Sequence, residues 1–87
     1  MRIRQVTWLE VVVDKIVRKH GLRPHEAEEV LLAGPHVRFL EKGHVPGEDL
    51  FGGFGQTASS RHVVVFFLLK PPGTALVVTA RDMTLSR

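Results

Sequence analysis

The chain has no cysteine among its 87 residues. Disulfide bonds, thiolate nucleophiles, cysteine-ligated zinc and iron–sulfur clusters are therefore excluded. Such usage suits a cytoplasmic protein. Long apolar runs are missing too. The longest, Val63 to Leu69, falls far short of the roughly 20 residues that span a bilayer. No signal peptide is read at the start, because Asp14 and Lys15 interrupt the apolar Val11-Val12-Val13. Internal repeats and low-complexity segments are lacking.

Several catalytic frames are also missing. The segment Phe51-Gly52-Gly53-Phe54-Gly55 lacks the Lys-Ser/Thr that closes a phosphate-binding loop, and no helix is expected after it. Its glycines read better as a strand bulge or a close backbone approach. Ser59-Ser60 has no Gly-x-Ser-x-Gly frame around it. The five histidines, His20, His25, His36, His44 and His62, include no i, i+4 helical pair of the kind that grips a metal. Neither a metal nor a cofactor is expected, and most of these histidines read as surface residues.

What remains is the composition of one small globular domain spanning 1–87. Hydrophobic residues make up 44% and charged residues 24%. The net charge of +3 and pI of about 10.0 suit contact with phosphate or an acidic partner without requiring it.

Arg2 to Trp8 alternates loosely, as a short first strand would. Apolar Leu9, Val12, Val13, Ile16 and Val17 follow the i, i+3, i+4, i+7, i+8 stripe of an amphipathic helix over Leu9 to His20, and Gly21 ends it. Pro24 opens a second helix, with Glu26, Glu28 and Glu29 near its positive end, Ala27, Val30 and Leu31 on its apolar face and Gly34-Pro35 as its stop. Strands are expected at His36 to Leu40, Leu50 to Thr57, His62 to Leu69 and Thr74 to Ala80. The third of these is apolar enough to be central and covered on both faces. Met83 to Arg87 reads as the start of a third helix. The expected fold class is α+β: two N-terminal helices packed on a twisted antiparallel sheet of about four strands, with a C-terminal helix shortened or absent.

Arg18-Lys19-His20-Gly21 ends the first helix. The helix dipole alone favours cations there. An Arg, a Lys and a His together also suit holding a phosphate and moving a proton. Arg61 and Arg81 fall at the same end of the hairpin made by the last two strands, where two guanidinium groups make a phosphate clamp. Strand ends are also commonly solvated and charged, which explains both arginines without a ligand.

Trp8, Lys15, Lys19-His20-Gly21 and Glu26-Ala27 resemble the N-terminal half of BrnT-type toxins. Gly55-Gln56-Thr57, Arg61, the valine-rich strand and Thr79-Ala80-Arg81-Asp82-Met83-Thr84 resemble the C-terminal half, and order and spacing agree over nearly the whole chain. The resemblance implies a RelE-like fold and the toxin half of a bacterial type II toxin–antitoxin pair, a metal-independent ribonuclease that inhibits translation. It implies a small ribbon-helix-helix antitoxin (BrnA-like), RNA as substrate, contact with DNA only through the antitoxin complex, no membrane, and it admits a homodimer. The family often has an Arg where this chain has Leu50, and usually continues into an Arg-rich C-terminal helix. The alternative is a catalytically inactive relative that binds a partner protein or nucleic acid; a third reading is a small structural or oligomerising domain.

Cleavage through the RNA 2′-hydroxyl needs a base, an acid and cations on the phosphorane. The expected catalytic set is His20 as base or acid, with Lys19, Arg61 and Arg81 as cations. An ordinary imidazole pKa of about 6.5 suits either proton-transfer role. Arg18 and Lys15 are expected to bind RNA, and Glu26 and Asp49 to orient the cations or simply to cap and solvate.

Overall fold

A computed structural model describes residues 2–45 and 47–83. Seven elements follow one another: β1 (Gln5–Thr7), α1 (Glu10–His20), α2 (Pro24–Leu32), β2 (His36–Glu41), β3 (Leu50–Gln56), β4 (His62–Lys70) and β5 (Thr74–Asp82). They build an α+β layout in which both helices lie on one face of a five-stranded sheet, ordered β1-β5-β4-β3-β2.

Two expectations change. The sheet has five strands and is mixed: β2 to β5 form an antiparallel meander, but β1 runs parallel to β5, with Val6 opposite Ala75. A parallel neighbour needs a long crossover, and here the rest of the domain serves as one. The second change concerns β4. It is central, but the helices cover only one of its faces. Val63, Val65 and Phe67 on that face are sealed among Val12, Ile16, Leu22, Ala27, Val30 and Leu31. The expected third helix falls at residues 84–87, outside the described residues, apart from Met83, which lies just past β5.

Local chemistry explains the helix ends. Gly21 adopts φ +61°, which places the Gly21 N–H on the Val17 carbonyl at 3.2 Å and the Leu22 N–H on the Ile16 carbonyl at 3.1 Å. This is the left-handed glycine stop that satisfies the last carbonyls of a helix. Leu22 then turns straight into the core. Pro24 sits in the first turn of α2, and the Glu26 carboxylate accepts the Arg23 N–H at 2.9 Å. Of the expected α1 stripe, Val12 and Ile16 are buried, while Leu9 and Val17 are exposed. The helix therefore rests on a narrower seam than its pattern suggested.

The glycines of β3 do what a close approach requires. A Cβ on Gly53 would lie 2.9 Å from Leu31 Cδ2, and one on Gly55 would lie 3.0 Å from Val30 Cγ1. Missing side chains there let α2 settle onto the sheet. No helix among the described residues is long and apolar enough to cross a membrane.

Candidate functional site

The end of α1, the start of α2 and the open end of the β4–β5 hairpin meet at one corner. The Thr57–Ser60 turn delivers Arg61 to that corner: Thr57 donates its N–H to the Arg61 carbonyl at 2.9 Å, and the Thr57 hydroxyl accepts the Arg61 N–H at 3.2 Å. The guanidinium then donates to the carbonyls of His20 and Gly21, both at 3.0 Å, to Glu26 at 3.3 Å, and to both carboxylate oxygens of Asp82, the Oδ2 contact being 2.9 Å. A planar five-donor fork suits this task and an ammonium does not.

Electrostatics follow from these contacts. The Glu26 carboxyl is held below its ordinary value, first by the Arg23 N–H it accepts and then by the charge of Arg61. The Asp82 carboxyl is held down first by its Arg61 hydrogen bonds, with help from the charges of Arg61 and nearby His20. Arg61 is raised, chiefly by Asp82. One cation thus ties the C-terminal carbonyls of α1 to acidic groups on α2 and β5.

The expected catalytic set is only partly gathered. Arg61 touches the backbone of His20, and His20 lies close to Asp82. Lys19 is exposed on the same turn. Arg81 shares the sheet end with Arg61 but projects from the opposite face. The cause is a bulge at Val78. From Lys70 opposite Thr74 to Phe67 opposite Val77 the hairpin is regular, but Phe66 faces Thr79. A bulge inserts one residue and shifts every later side chain. Val63 consequently faces Asp82, and Arg81 faces Val64. Without the bulge, Arg81 would stand where Asp82 now meets Arg61. The sequence suggested a two-arginine clamp; the fold makes an Arg–carboxylate clasp instead.

The remaining expected residues are dispersed. Lys15 and Arg18 are exposed along α1, with Arg18 paired to Asp14 at 3.1 Å. Asp49 lies at the other end of the sheet, where Leu50 faces Leu68, and its carboxylate accepts the Gly43 N–H at 2.9 Å. It closes the β2–β3 loop and does not join the corner.

The sheet face turned away from the helices carries a second constellation. His36, Phe54, Val64 and Arg81 form one cross-strand row; Arg38, Gly52, Phe66 and Thr79 form the next. His62, opposite Gln56, lies on the same face. The Arg81 guanidinium stands 5.6 Å from the centre of the Phe66 ring, and His36 and Phe54 rings lie 6.5 Å apart. A hollow of about 380 Å³ opens between Phe54, Val64, Phe66 and Arg81 and reaches Asp82 and Met83. Half-buried aromatics beside cations, on a sheet face that neither helix covers, are suited to stacking nucleobases and neutralising phosphates. Sequence reasoning missed His36, Phe54, His62 and Phe66. Period-2 alternation along β3 and β4 was the signal that could have grouped them.

A larger cleft of about 620 Å³ lies between the Arg2–Arg4 segment and the end of α2. Among the described residues its charged groups are Arg2 and Arg4, and neither guanidinium moves a proton near neutrality. Among the described residues, no three His, Asp or Glu side chains are grouped to hold a metal ion.

No family model matches the chain, and no curated protein matches it in sequence. The fold, however, is similar to that of a solved protein. The crystal structure of the Brucella abortus ribonuclease toxin BrnT superimposes with a TM-score of 0.66, covering 93% of this chain and 97% of that one at 17% identity. The resemblance to BrnT-type toxins noted in the sequence therefore holds at the level of the fold.

Proposed function

We propose that this chain is the ribonuclease toxin of a bacterial toxin–antitoxin pair, acting in the cytoplasm, and that RNA lies across the open sheet face toward the His20 corner. The observation that carries the reading is Arg81 stacked on Phe66 beside Phe54, on a fold shared end to end with a ribonuclease toxin. Arg81 holds a backbone phosphate while the rings take bases. His20 moves the proton at the 2′-hydroxyl or the leaving oxygen, and Lys19 adds charge to the phosphorane. Arg61 is a positioning residue: it fixes the carbonyls of His20 and Gly21 and keeps no donor for a substrate. Lys15 and Arg18 extend the positive field along α1. The antitoxin is a ribbon-helix-helix protein that covers these surfaces.

The saturation of Arg61 favours a second reading, an RNA-binding relative that does not cleave. Induced expression in a bacterial host separates the two. The chain arrests growth and degrades RNA. His20→Ala lowers cleavage by about a hundredfold or more while RNA is still bound, and Arg81→Ala loses RNA affinity. Tight binding without cleavage by the unaltered chain selects the second reading. No arrest, no cleavage and no binding ends both.

A further inference from the structure

The two edges of the sheet are unequal. β1 offers three residues, whereas β2 offers six, His36–Glu41, bonded to β3 on one side only, regular from His36 to Phe39 and bulged at Leu40. Long edge strands with free N–H and C=O groups recruit another strand unless they are blunted. We propose that β2 is a self-association edge, along which a second copy of this chain pairs antiparallel and makes the two sheets continuous.

Three observations select a second copy as the occupant. First, an aromatic row crosses the helix-side face and ends unfinished at this edge. Buried Phe67 stacks on Phe51 at 5.8 Å, and Phe51 meets Phe39 edge-on at 5.8 Å. Phe39 is nevertheless 57% exposed. Another Phe39 continues the row by symmetry.

Second, identical antiparallel strands keep facing residues on the same side of the sheet, so the two-fold axis passes through a residue pair. An axis at Arg38 opposes two guanidinium groups. An axis at Phe39 opposes the two rings and sets Arg38 against the Leu40–Glu41 segment of the other copy.

Third, the charges complement each other in that register. Arg38 faces Gly52 and Glu41 faces Leu50, so both stand on the open face. Antiparallel pairing about Phe39 sets each Arg38 opposite Leu40 of the other copy, and the bulge between Phe39 and Glu41 turns the adjoining Glu41 to the same face, so each Arg38 stands beside a Glu41, twice over. Parallel pairing aligns like with like. Leu40, 42% exposed, is covered in the same step. The contact is small, as in weak, transient associations.

Sedimentation of the purified chain between about 1 and about 300 µM brackets such a contact. It reads neither RNA nor cleavage, so its outcome is independent of the proposed function. The mass is expected to rise from 9.7 kDa toward twice that value. Phe39→Asp stays monomeric throughout while keeping the far-ultraviolet circular dichroism of the unaltered chain. Arg38→Glu and Glu41→Arg each weaken association about tenfold, because symmetry counts each altered pair twice, and the double variant restores it. A chain that stays at 9.7 kDa over the whole range overturns the inference. So does a dimer indifferent to Phe39→Asp and to the single charge reversals, and so does an edge occupied only when a different protein is added.

Discussion

The two faces of β4 are built from alternate residues of one strand and have opposite chemistry. Toward the helices stand Val63, Val65 and Phe67, all fully buried, and the face is closed at its end by Arg61, Glu26 and Asp82. Away from the helices stand His62, Val64, Phe66 and Leu68, beside Arg38, Phe54 and Arg81. The first face is apolar inside with its charges paired at the margin. The second mixes rings with cations that, among the described residues, pair with no carboxylate. The difference assigns stability to one side and recognition to the other. It also shows why arginines at one strand end can have unrelated jobs.

Inserting one alanine after Val78 is the harshest test of that division. With one residue still bulged, the insertion slides Thr79 to Asp82 along the ladder by one place, so Arg81 is driven opposite Val63, against Arg61, while Asp82 leaves it. The clasp loses its acid and gains a like charge. Denaturant unfolding is expected to show a loss of about 4 kcal/mol or more. A near-native midpoint would mean that the bulge does not set the faces.

Neighbouring phenylalanines give the next contrast. Phe67→Ala opens a hole in the sealed core and is expected to cost about 3–5 kcal/mol. Phe66→Ala removes a half-buried ring from the open face, with an expected cost of about 1 kcal/mol. RNA affinity should move the other way, falling for Phe66→Ala and not for the folded fraction of Phe67→Ala. Equal costs in chemical denaturation would collapse the distinction between the faces.

Much of this architecture is legible in local sequence. Gly21, Pro24 and Gly34-Pro35 punctuate the helices by their own backbone preferences, and the β-branched run from Val63 leaves little choice but a strand. Pairing between β1 and β5 is not legible, because it joins opposite ends of the chain and no local signal reports a parallel neighbour. The candidate site divides in the same way. That Arg61 and Arg81 share one end of a hairpin follows from the turn at Lys70–Gly73. That they occupy different faces depends on one extra residue, Val78, in a stretch whose composition does not mark a bulge. His36, Phe54, His62 and Phe66 are each ordinary in isolation, and only registration across three strands assembles them.

Adjacent glycines extend the comparison at smaller scale. A methyl group on Gly53 meets Leu31 at 2.9 Å and Phe67 at 3.4 Å beneath α2, where the core is packed. One on Gly52 meets only Leu40 and Phe54 side-chain ends at 3.3 Å on the open face, where both can swing aside. Gly53→Ala is expected to cost about 1–3 kcal/mol in urea unfolding, and Gly52→Ala to stay within about 0.5 kcal/mol. The reverse order would place the tight packing on the wrong side.

The mildest effect is acid sensitivity, and it too should belong to one face. Glu26 and Asp82 have folded-state pKa values below their ordinary 4.5 and 3.8. As pH falls, the unfolded chain takes up their protons first, so stability decreases. The contribution is fully present above the ordinary carboxylate range and is lost as pH drops through the lowered folded values. Asp82 is about half exposed, with 49% of its side-chain area accessible, so solvent screening keeps its share small. Urea midpoints measured from pH 6 down to pH 3 should fall less steeply in Asp82→Asn and less steeply again in Glu26→Gln/Asp82→Asn. Arg81→Ala should keep the unaltered slope, because Arg81 stands on the other face, over Phe66, and takes no part in holding either carboxylate down. An Arg81→Ala slope as flat as that of the double variant would mean that the two faces share one electrostatic site after all.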